Sequence, residues 1–368
     1  MPIYMDRHDV SESVTAENVA HLHQEDLKIQ HNFGCRGLTY WFDEKRKTAF
    51  CLVEAPDEKA IYEMHSEAHG QVPNQIIEVD ISIVESFLGR IEDPQYEHAS
   101  GLNIIDEPAF RVIMITGFDD CAFKKGKALA AEGAFNLASC MKSLATFFTR
   151  FDGRIVKQYQ NDFLVSFKSV SQAIRCAIEI NRKFSESIGS SEMNLKTGIG
   201  QGVPFSGNDS FFEESVQMTQ RLFYISNSKI VISHEVKKLF INENPGAHLD
   251  RDLFVALTLS DEKFLNQLMN YMESNWKNPN LQIDDLTRHL GHSKSQLYRK
   301  MTSLTSVSPN SFIKYYRLHK ALDLIKEQSG NVSEVAYESG FNSPSSFAKC
   351  FHKRYGVLPS DYLQNMQG

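Results

Sequence analysis

The sequence reads as a multidomain protein: two α+β units in series, then an all-α segment. Three observations carry this reading. At 368 residues the chain exceeds what one core of ordinary size uses. Twice before residue 260, runs of alternating apolar and polar residues interleave with helical periodicity in the same order. From Asp261 onward only the helical period continues, without a convincing strand.

In residues 1–90 a strand runs through PIYMDRH, and Thr15 is placed to open a helix. The strands GLTYWF and TAFCLVEA follow, joined by a charged turn from Asp43 to Lys47. A helix then begins after Pro56 and ends at Gly70, and IIEVDIS forms the last strand. The order strand, helix, strand, strand, helix, strand folds economically as a ferredoxin-like layer of helices on one sheet. Residues 91–109, IEDPQYEHASGLNIIDEPA, carry the Pro, Gly, Asp and Asn of a linker.

Residues 110–259 repeat the order. RVIMIT is a strand, a helix spans about Ala128 to Phe151, and RIVKQYQNDFLVSF is a hairpin. A helix from Val170 to Ile188 and the strand LKTGIG follow. A helix around Ser215 to Ile225, the strand KIVIS and a short helix complete the unit. Asn161-Asp162 has the chemistry of a hairpin corner, because both residue types tolerate the left-handed backbone of tight turns. The other reading of the pair, the carboxylate tip of a metal-dependent enzyme, is left to the rest of the chain to decide.

No apolar stretch reaches the roughly 18–20 residues needed to span a bilayer. The N-terminus, MPIYMDRHDV, lacks the basic-then-apolar layout of a secretion signal, so a cytoplasmic location is expected. The six cysteines (Cys35, Cys51, Cys121, Cys140, Cys176, Cys350) include no C-x-x-C pair, which argues against a disulfide framework and a thiolate zinc site. The net charge of −7 is unevenly spread. From Asp261 on there are 13 Lys and Arg against 10 Asp and Glu, about +3, leaving about −10 for the rest.

The segment 261–368 contains a pattern that repeats at an offset of 50 residues. Leu286, Ser293, Ser295, Leu297, Arg299 and Met301 correspond to Ala336, Ser343, Ser345, Phe347, Lys349 and Phe351. Each copy has a small or apolar residue on one helix, a turn, a Ser placed to cap the next helix, and apolar residues four apart. This is a double helix-turn-helix. Arg288, Lys294, Arg299 and Lys300 in the first copy, and Lys349, Lys353 and Arg354 in the second, supply the charge that phosphate neutralisation and base-edge readout require. Between the copies, Asn310 to Gln328 reads as one amphipathic helix. Phe312, Tyr315, Leu318, Leu322 and Ile325 face inward, and Lys314, Arg317, Lys320 and Lys326 mostly outward.

The motifs RLHKA at Arg317 to Ala321, GFNSPSSF at Gly340 to Phe347 and LPSDY at Leu358 to Tyr362 resemble the AraC family of bacterial transcription regulators. The resemblance implies a two-lobed domain that binds double-stranded DNA at a promoter operator. Its base-facing positions fall on Ser295, Gln296, Tyr298 and Arg299 in the first reading helix, and on Pro344, Ser345, Ser346 and Lys349 in the second. The second set is poor in bidentate donors, which suits phosphate contact and shape readout.

The middle unit resembles the class III nucleotidyl cyclases through RVIMITGF, GRIVKQYQNDFLVSF, LKTGIGQGVPF, SVQMTQRLFYIS and KIVISHEVKKL. A two-metal phosphoryl-transfer site needs carboxylates. The resemblance places the first metal Asp on Gly117, with Asp119 and Asp120 out of register, and the second on Asn161. Of the pair that stabilises the transition state, Arg221 is kept and Gln217 stands in place of Asn. A one-residue slip would supply Asp162 but would turn its side chain to the opposite face. Asp162 and Arg221 are thus remnants of a nucleotide site in a unit expected to be inactive as an enzyme.

Six of the 13 histidines precede residue 70, and His65 and His69 lie four apart on one helix. The pair reads either as a solvated helix end or as two ligands of one metal ion. The segment, notably DEKRKTAFCLVEAPDEKAI, is similar to a small nickel-binding ferredoxin-like family. That resemblance implies a role for nickel or another divalent transition metal, for which His65, His69, His21 and His23 are candidates on their chemistry alone.

Together these features describe a sequence-specific transcription regulator, expected as a homodimer. Its N-terminal modules would sense a small-molecule, nucleotide or metal effector, or dimerise, and no membrane is involved. The alternatives are a nucleotidyl cyclase or nucleotide-binding sensor with a regulatory DNA-binding tail, and a metal store, which would not need a DNA-binding half.

Overall fold

The computed structural model describes residues 1–94, 102–118, 137–188, 195–205, 210–327 and 330–367. The first sheet contains β1 (Ile3–Asp9), β2 (Arg36–Asp43), β3 (Thr48–Glu54) and β4 (Gln75–Glu78) in the order β2-β3-β1-β4. Helices α1 (Ala16–Ile29) and α2 (Glu58–Ala68) cross it. Thr15 and Asn18 form a reciprocal cap at the start of α1, and Asp57 accepts from the Ala60 amide at the start of α2.

The strand expected over IIEVDIS stops at Glu78. Asp80 instead accepts the Ser82 amide at 2.8 Å and opens a third helix, α3 (Ile81–Leu88), which buries Val84, Phe87 and Leu88. An apolar run of this length suits either structure, and the Asp cap decided for a helix.

The second sheet contains β5 (Arg111–Phe118), β6 (Arg154–Gln158), β7 (Asp162–Phe167), β8 (Leu195–Gly202), β9 (Ile230–Ile232) and β10 (Phe254–Ala256), in the order β10-β9-β8-β5-β7-β6. Four of its strands, β8-β5-β7-β6, repeat the order of the first sheet, with β9 and β10 added beyond β8. β10, which the sequence pattern did not reveal, pairs in parallel with β9 through only three residues. The described helices here are α4 (Leu137–Arg150), α5 (Val170–Ile188), α6 (Glu213–Ile225) and α7 (His234–Glu243). The expected start of α4 near Ala128 lies outside the described residues.

β5 is buried along its whole length because both faces are covered. Val112 and Met114 pack with Leu144, Phe148 and Ile174 from the helices, while Ile113 and Ile115 pack with Leu38, Trp41, Phe50 and Leu52 from the first unit. The stretch expected as a linker is, in its described part, packed against the first unit. Leu102 and Ile105 join that unit's core, and the Ile105 amide donates to the Tyr40 hydroxyl at 2.9 Å.

The C-terminal helices are α8 (Leu259–Asn275), α9 (Ile283–Leu290), α10 (Lys294–Thr305), α11 (Pro309–Lys326), α12 (Val332–Glu338), α13 (Pro344–Tyr355) and α14 (Pro359–Gln367). Leu222 and Ile225 of α6 share one apolar cluster with Leu268, Met272, Leu297, Met301 and Phe312, so the middle unit and the first helical lobe have a common core. The second lobe has its own core around Leu322, Phe347 and Phe351. α11 contributes to both.

Candidate nucleic-acid interface and metal centre

The two copies of the C-terminal repeat are alike in structure as well as in pattern. Ser293 accepts the Gln296 amide at 3.3 Å, and Ser343 accepts the Ser346 amide at 3.2 Å. Leu297, Met301, Phe347 and Phe351 are fully buried below. The 3.6-residue period therefore turns the intervening polar residues outward. On α10, Lys294, Ser295, Gln296, Tyr298 and Arg299 are exposed, Tyr298 by 54%. On α13, Ser345, Ser346, Lys349 and Lys353 are exposed and Pro344 is half-buried; Lys314 on α11 is exposed.

Two of these groups are engaged locally. Lys294 pairs with Asp284 at 2.6 Å, and the Gln296 side chain accepts the Ser293 amide at 2.9 Å. Lys300 was expected on the reading face and lies elsewhere. It turns back to α8, 3.2 Å from the Ser260 hydroxyl and over the Phe264 ring, because its place in the helical period faces that neighbour. Arg317 also departs from expectation. It is buried and donates to the carbonyls of Trp276 at 2.9 Å and Asn278 at 2.5 Å, closing the loop after α8. A guanidinium satisfies several carbonyls at once, an option that a charge pattern does not display.

At the hairpin corner the Tyr159 amide donates to the Asp162 carbonyl at 2.8 Å, leaving Gln160 and Asn161 as the corner residues. Neither has a left-handed backbone, so the corner forms without the conformation that its residue types suggested. Gly117 pairs with Asp162 across β5 and β7. A Cβ on Gly117 would lie 2.2 Å from the Asn161 carbonyl oxygen, so the sheet has no room for a carboxylate there. Asp119 and Asp120 lie outside the described residues. Arg221 donates to Asn266 at 2.6 Å and Asn270 at 2.5 Å on α8. It thus ties the middle unit to the helical one.

The four candidate histidines do not form one group. His21 is exposed, and His23 lies 3.1 Å from Asp93 and against Tyr40. His65 and His69 do come together, with their ring centroids 5.5 Å apart. Both approach one oxygen of Asp26 at 3.1 Å, and the other His65 nitrogen lies 3.0 Å from Asp6. Asp6 in turn lies 3.1 Å from His8 and opposite Cys51 in the strand register.

Two adjoining sets result, Asp26-His65-His69 and Asp6-His8-Cys51, linked by the His65–Asp6 contact and each with donor atoms within 4.8 Å of one another. Sequence reasoning missed Asp6, His8, Asp26 and Cys51. Asp26 had a signal, since it falls with Val19, Ala20 and His23 on the buried stripe of α1, where a carboxylate needs a reason.

Burial disfavours a charged His65, yet the carboxylates of Asp6 and Asp26 outweigh it and hold the imidazolium up to about 10. Burial likewise opposes ionisation of Asp6, and His8 and His65 overcome it, holding its carboxyl far below the usual range. Asp26 Oδ1 and His65 Nδ1 are buried without a hydrogen bond of good geometry, although they lie 3.1 Å apart. Such converging, unsatisfied donors suit a shared cation. Two imidazoles and a carboxylate match nickel and its neighbours among the divalent transition metals.

A family described as helix-turn-helix domain matches residues 286–365. The C-terminal helices form an AraC-type helix-turn-helix domain. A second family, described as nickel responsive protein SCO4226-like, matches residues 4–79, the unit that holds the histidine and aspartate cluster.

Among curated relatives, a histidine kinase P4 of Formosa agariphila is 32% identical over 108 residues, 29% of this chain and 8% of that protein. The HTH-type transcriptional regulator MtrA of Neisseria gonorrhoeae is 32% identical over 98 residues, 27% of this chain and 31% of the regulator. GbdR of Pseudomonas aeruginosa, another HTH-type transcriptional regulator, is 32% identical over 136 residues, 36% of each protein. The chain thus spans between 8% and 36% of the length of these relatives. Among the described residues, no helix is long and apolar enough to cross a membrane.

Proposed function

We propose that this protein is a sequence-specific, DNA-binding transcription regulator whose AraC-type domain grips duplex DNA and whose two N-terminal units adjust that grip. The observation that carries this reading is the pair of Ser-capped helices, α10 and α13, each backed by buried apolar residues and each presenting an exposed polar and cationic face. Arg299, exposed on the first, is the side chain best suited to bidentate contact with a guanine edge. Lys349 and Lys353 on the second serve phosphates. The working compartment is then the cytoplasm, where the chromosome lies.

The test is fluorescence anisotropy of the full chain on randomised duplexes, followed by selection of a preferred site. Arg299→Ala should cost ~1–3 kcal/mol on the preferred site and relax preference at one base pair. Equal loss on every sequence would reduce Arg299 to a phosphate contact, and absence of any salt-sensitive binding by the wild type would end the regulator reading.

A second element of this reading concerns the first unit. Asp26, His65 and His69 would hold a divalent transition metal, nickel first, with Asp6 and His8 around them. The cation would neutralise carboxylates that now share the His65 proton. Nickel titration of the full chain by calorimetry should give one tight site that His65→Ala abolishes while the fold persists by circular dichroism. Unchanged nickel binding in that variant would move the site elsewhere.

The middle unit, with Gly117 sterically fixed and Asn161 in place of a carboxylate, serves in this reading as a non-catalytic platform between metal site and DNA-binding domain. Incubation with ATP or GTP and Mn²⁺ should yield no cyclic nucleotide.

A further inference from the structure

Between the middle unit and the AraC-type domain lies a cavity of about 650 Å³, within the size range of small-molecule sites. One wall is the hairpin corner at Asn161 with Asp162 of β7, Lys196 of β8 and Arg221 of α6. The other is α11 and the end of α13. We propose that this cavity is an effector site that takes an aromatic anion of nucleoside-monophosphate size. This rests on the regulator reading above and extends it by placing the effector at the joint with the DNA-binding domain.

Charge and ring content together select the ligand. The lining includes five Lys and Arg side chains, namely Lys196, Arg221, Lys320, Lys326 and Arg354, against three carboxylates, Asp162, Glu273 and Asp323. An anion is favoured in such a recess, where water screens less than at an open surface. The cations stand on both walls, so one ligand can draw charge from both units.

Aromatic side chains line the space between them. Tyr224 of α6 projects among residues of α11, with its ring centroid 5.7 Å from Phe312, 5.8 Å from Tyr316 and 5.7 Å from His319. Lys196 lies 5.1 Å over the Phe223 ring, and Arg354 4.7 Å over the Tyr315 ring. A flat ring can stack in this group while its acidic substituent meets the cations. An aliphatic anion uses only the charges, and a neutral ring only the stack.

The cavity is also placed to act. α11 contributes Phe312 and Tyr316 to the core shared with the middle unit, and Leu322 and Ile325 to the core of the second lobe. A ligand held in the cavity against Tyr224 and α11 therefore bears on the element that sets one reading helix relative to the other. Differential binding of that kind is what couples an effector to DNA affinity.

The experiment measures ligand binding first without DNA, by calorimetry on the full chain with AMP, GMP, CMP and UMP. Adenosine serves as ring without charge and inorganic pyrophosphate as charge without ring. At least one nucleotide should bind at least tenfold tighter than both partial probes, and should change affinity for the selected duplex by roughly 5- to 100-fold.

Lys326→Ala should weaken nucleotide binding roughly tenfold. Asn227→Trp, an exposed lining position, should obstruct the cavity without shifting the melting temperature. No nucleotide binding at millimolar concentration, binding no tighter than pyrophosphate or adenosine, or binding untouched by both variants would overturn the proposal. Because binding is read without DNA, failure of the cavity is distinguishable from failure of the protein to bind a duplex.

Discussion

At the scale of single residues, the chemistry of the middle unit turns on Gly117. In a pattern-based comparison it is merely a missing carboxylate. In the sheet it is a steric requirement, because any Cβ meets the backbone of Asn161 and Asp162 at 2.2–2.4 Å. Restoring the acid should therefore damage the fold instead of the function. Gly117→Asp should lower unfolding free energy by at least about 3 kcal/mol, beyond ordinary overpacking, with no cyclic nucleotide formed from ATP or GTP. A variant as stable as the parent, or one that gains cyclase activity, would contradict this geometry. The histidines teach the converse lesson. His65 and His69 could be paired by their helical spacing, but Asp6 and Asp26 reach them from β1 and α1, and that convergence depends on packing across the sheet.

At the scale of elements, local chemistry decided most boundaries. Thr15, Asp57, Ser293, Ser308 and Ser343 accept the amides that their helices leave unpaired. Ser293→Ala and Ser343→Ala should each cost about 1 kcal/mol in chemical denaturation, and should weaken duplex binding because the first turns of α10 and α13 carry the exposed donors. Loss of stability without loss of binding would detach those turns from the DNA interface. The end of the expected strand, which opens α3 instead, shows where the local signal was legible and misweighted: Asp80 is a good cap, but IIEVDIS alternates well enough to suit a strand throughout. Helix α3 then matters beyond itself, since its last carbonyls, from Phe87 and Leu88, accept Arg111 of β5 at 3.1 and 2.9 Å.

At the scale of the whole molecule, the three units are joined by chemistry more than by linkers. Arg111 is 1% exposed and, with Arg90 and Lys168, surrounds Glu107. Burial opposes ionisation of Glu107, but Lys168, Arg111 and Arg90 outweigh it and hold the carboxyl below the usual glutamate range. A group whose folded value is depressed stabilises the fold above its unfolded value, and that stability is lost as pH falls through the folded one. The melting temperature should therefore drop as pH falls below the ordinary glutamate range. Glu107→Gln should start lower at neutral pH and lack that part of the acid-induced fall. Parallel melting curves for the two proteins across the acid range would remove Glu107 from its joining role. On the other side, the apolar cluster shared by α6, α8 and α11 means that the first DNA-binding lobe is part of the middle unit's core.

The sequence by itself determined what depends on neighbours along the chain: the period of most strands and helices, the capping residues, the element order that recurs in both sheets, and the duplication of the reading helices at Ser293 and Ser343. These are short-range preferences, and a residue type reports them directly. Only the tertiary structure decided which groups from distant segments meet. It placed Asp26 beside His65 and His69, turned Lys300 and Arg317 inward, aimed Arg221 at α8, and left a cavity between Asn161 and α11. Such meetings are fixed by how faces pack across the cores, and the free energy of that packing belongs to surfaces that no single stretch of sequence contains.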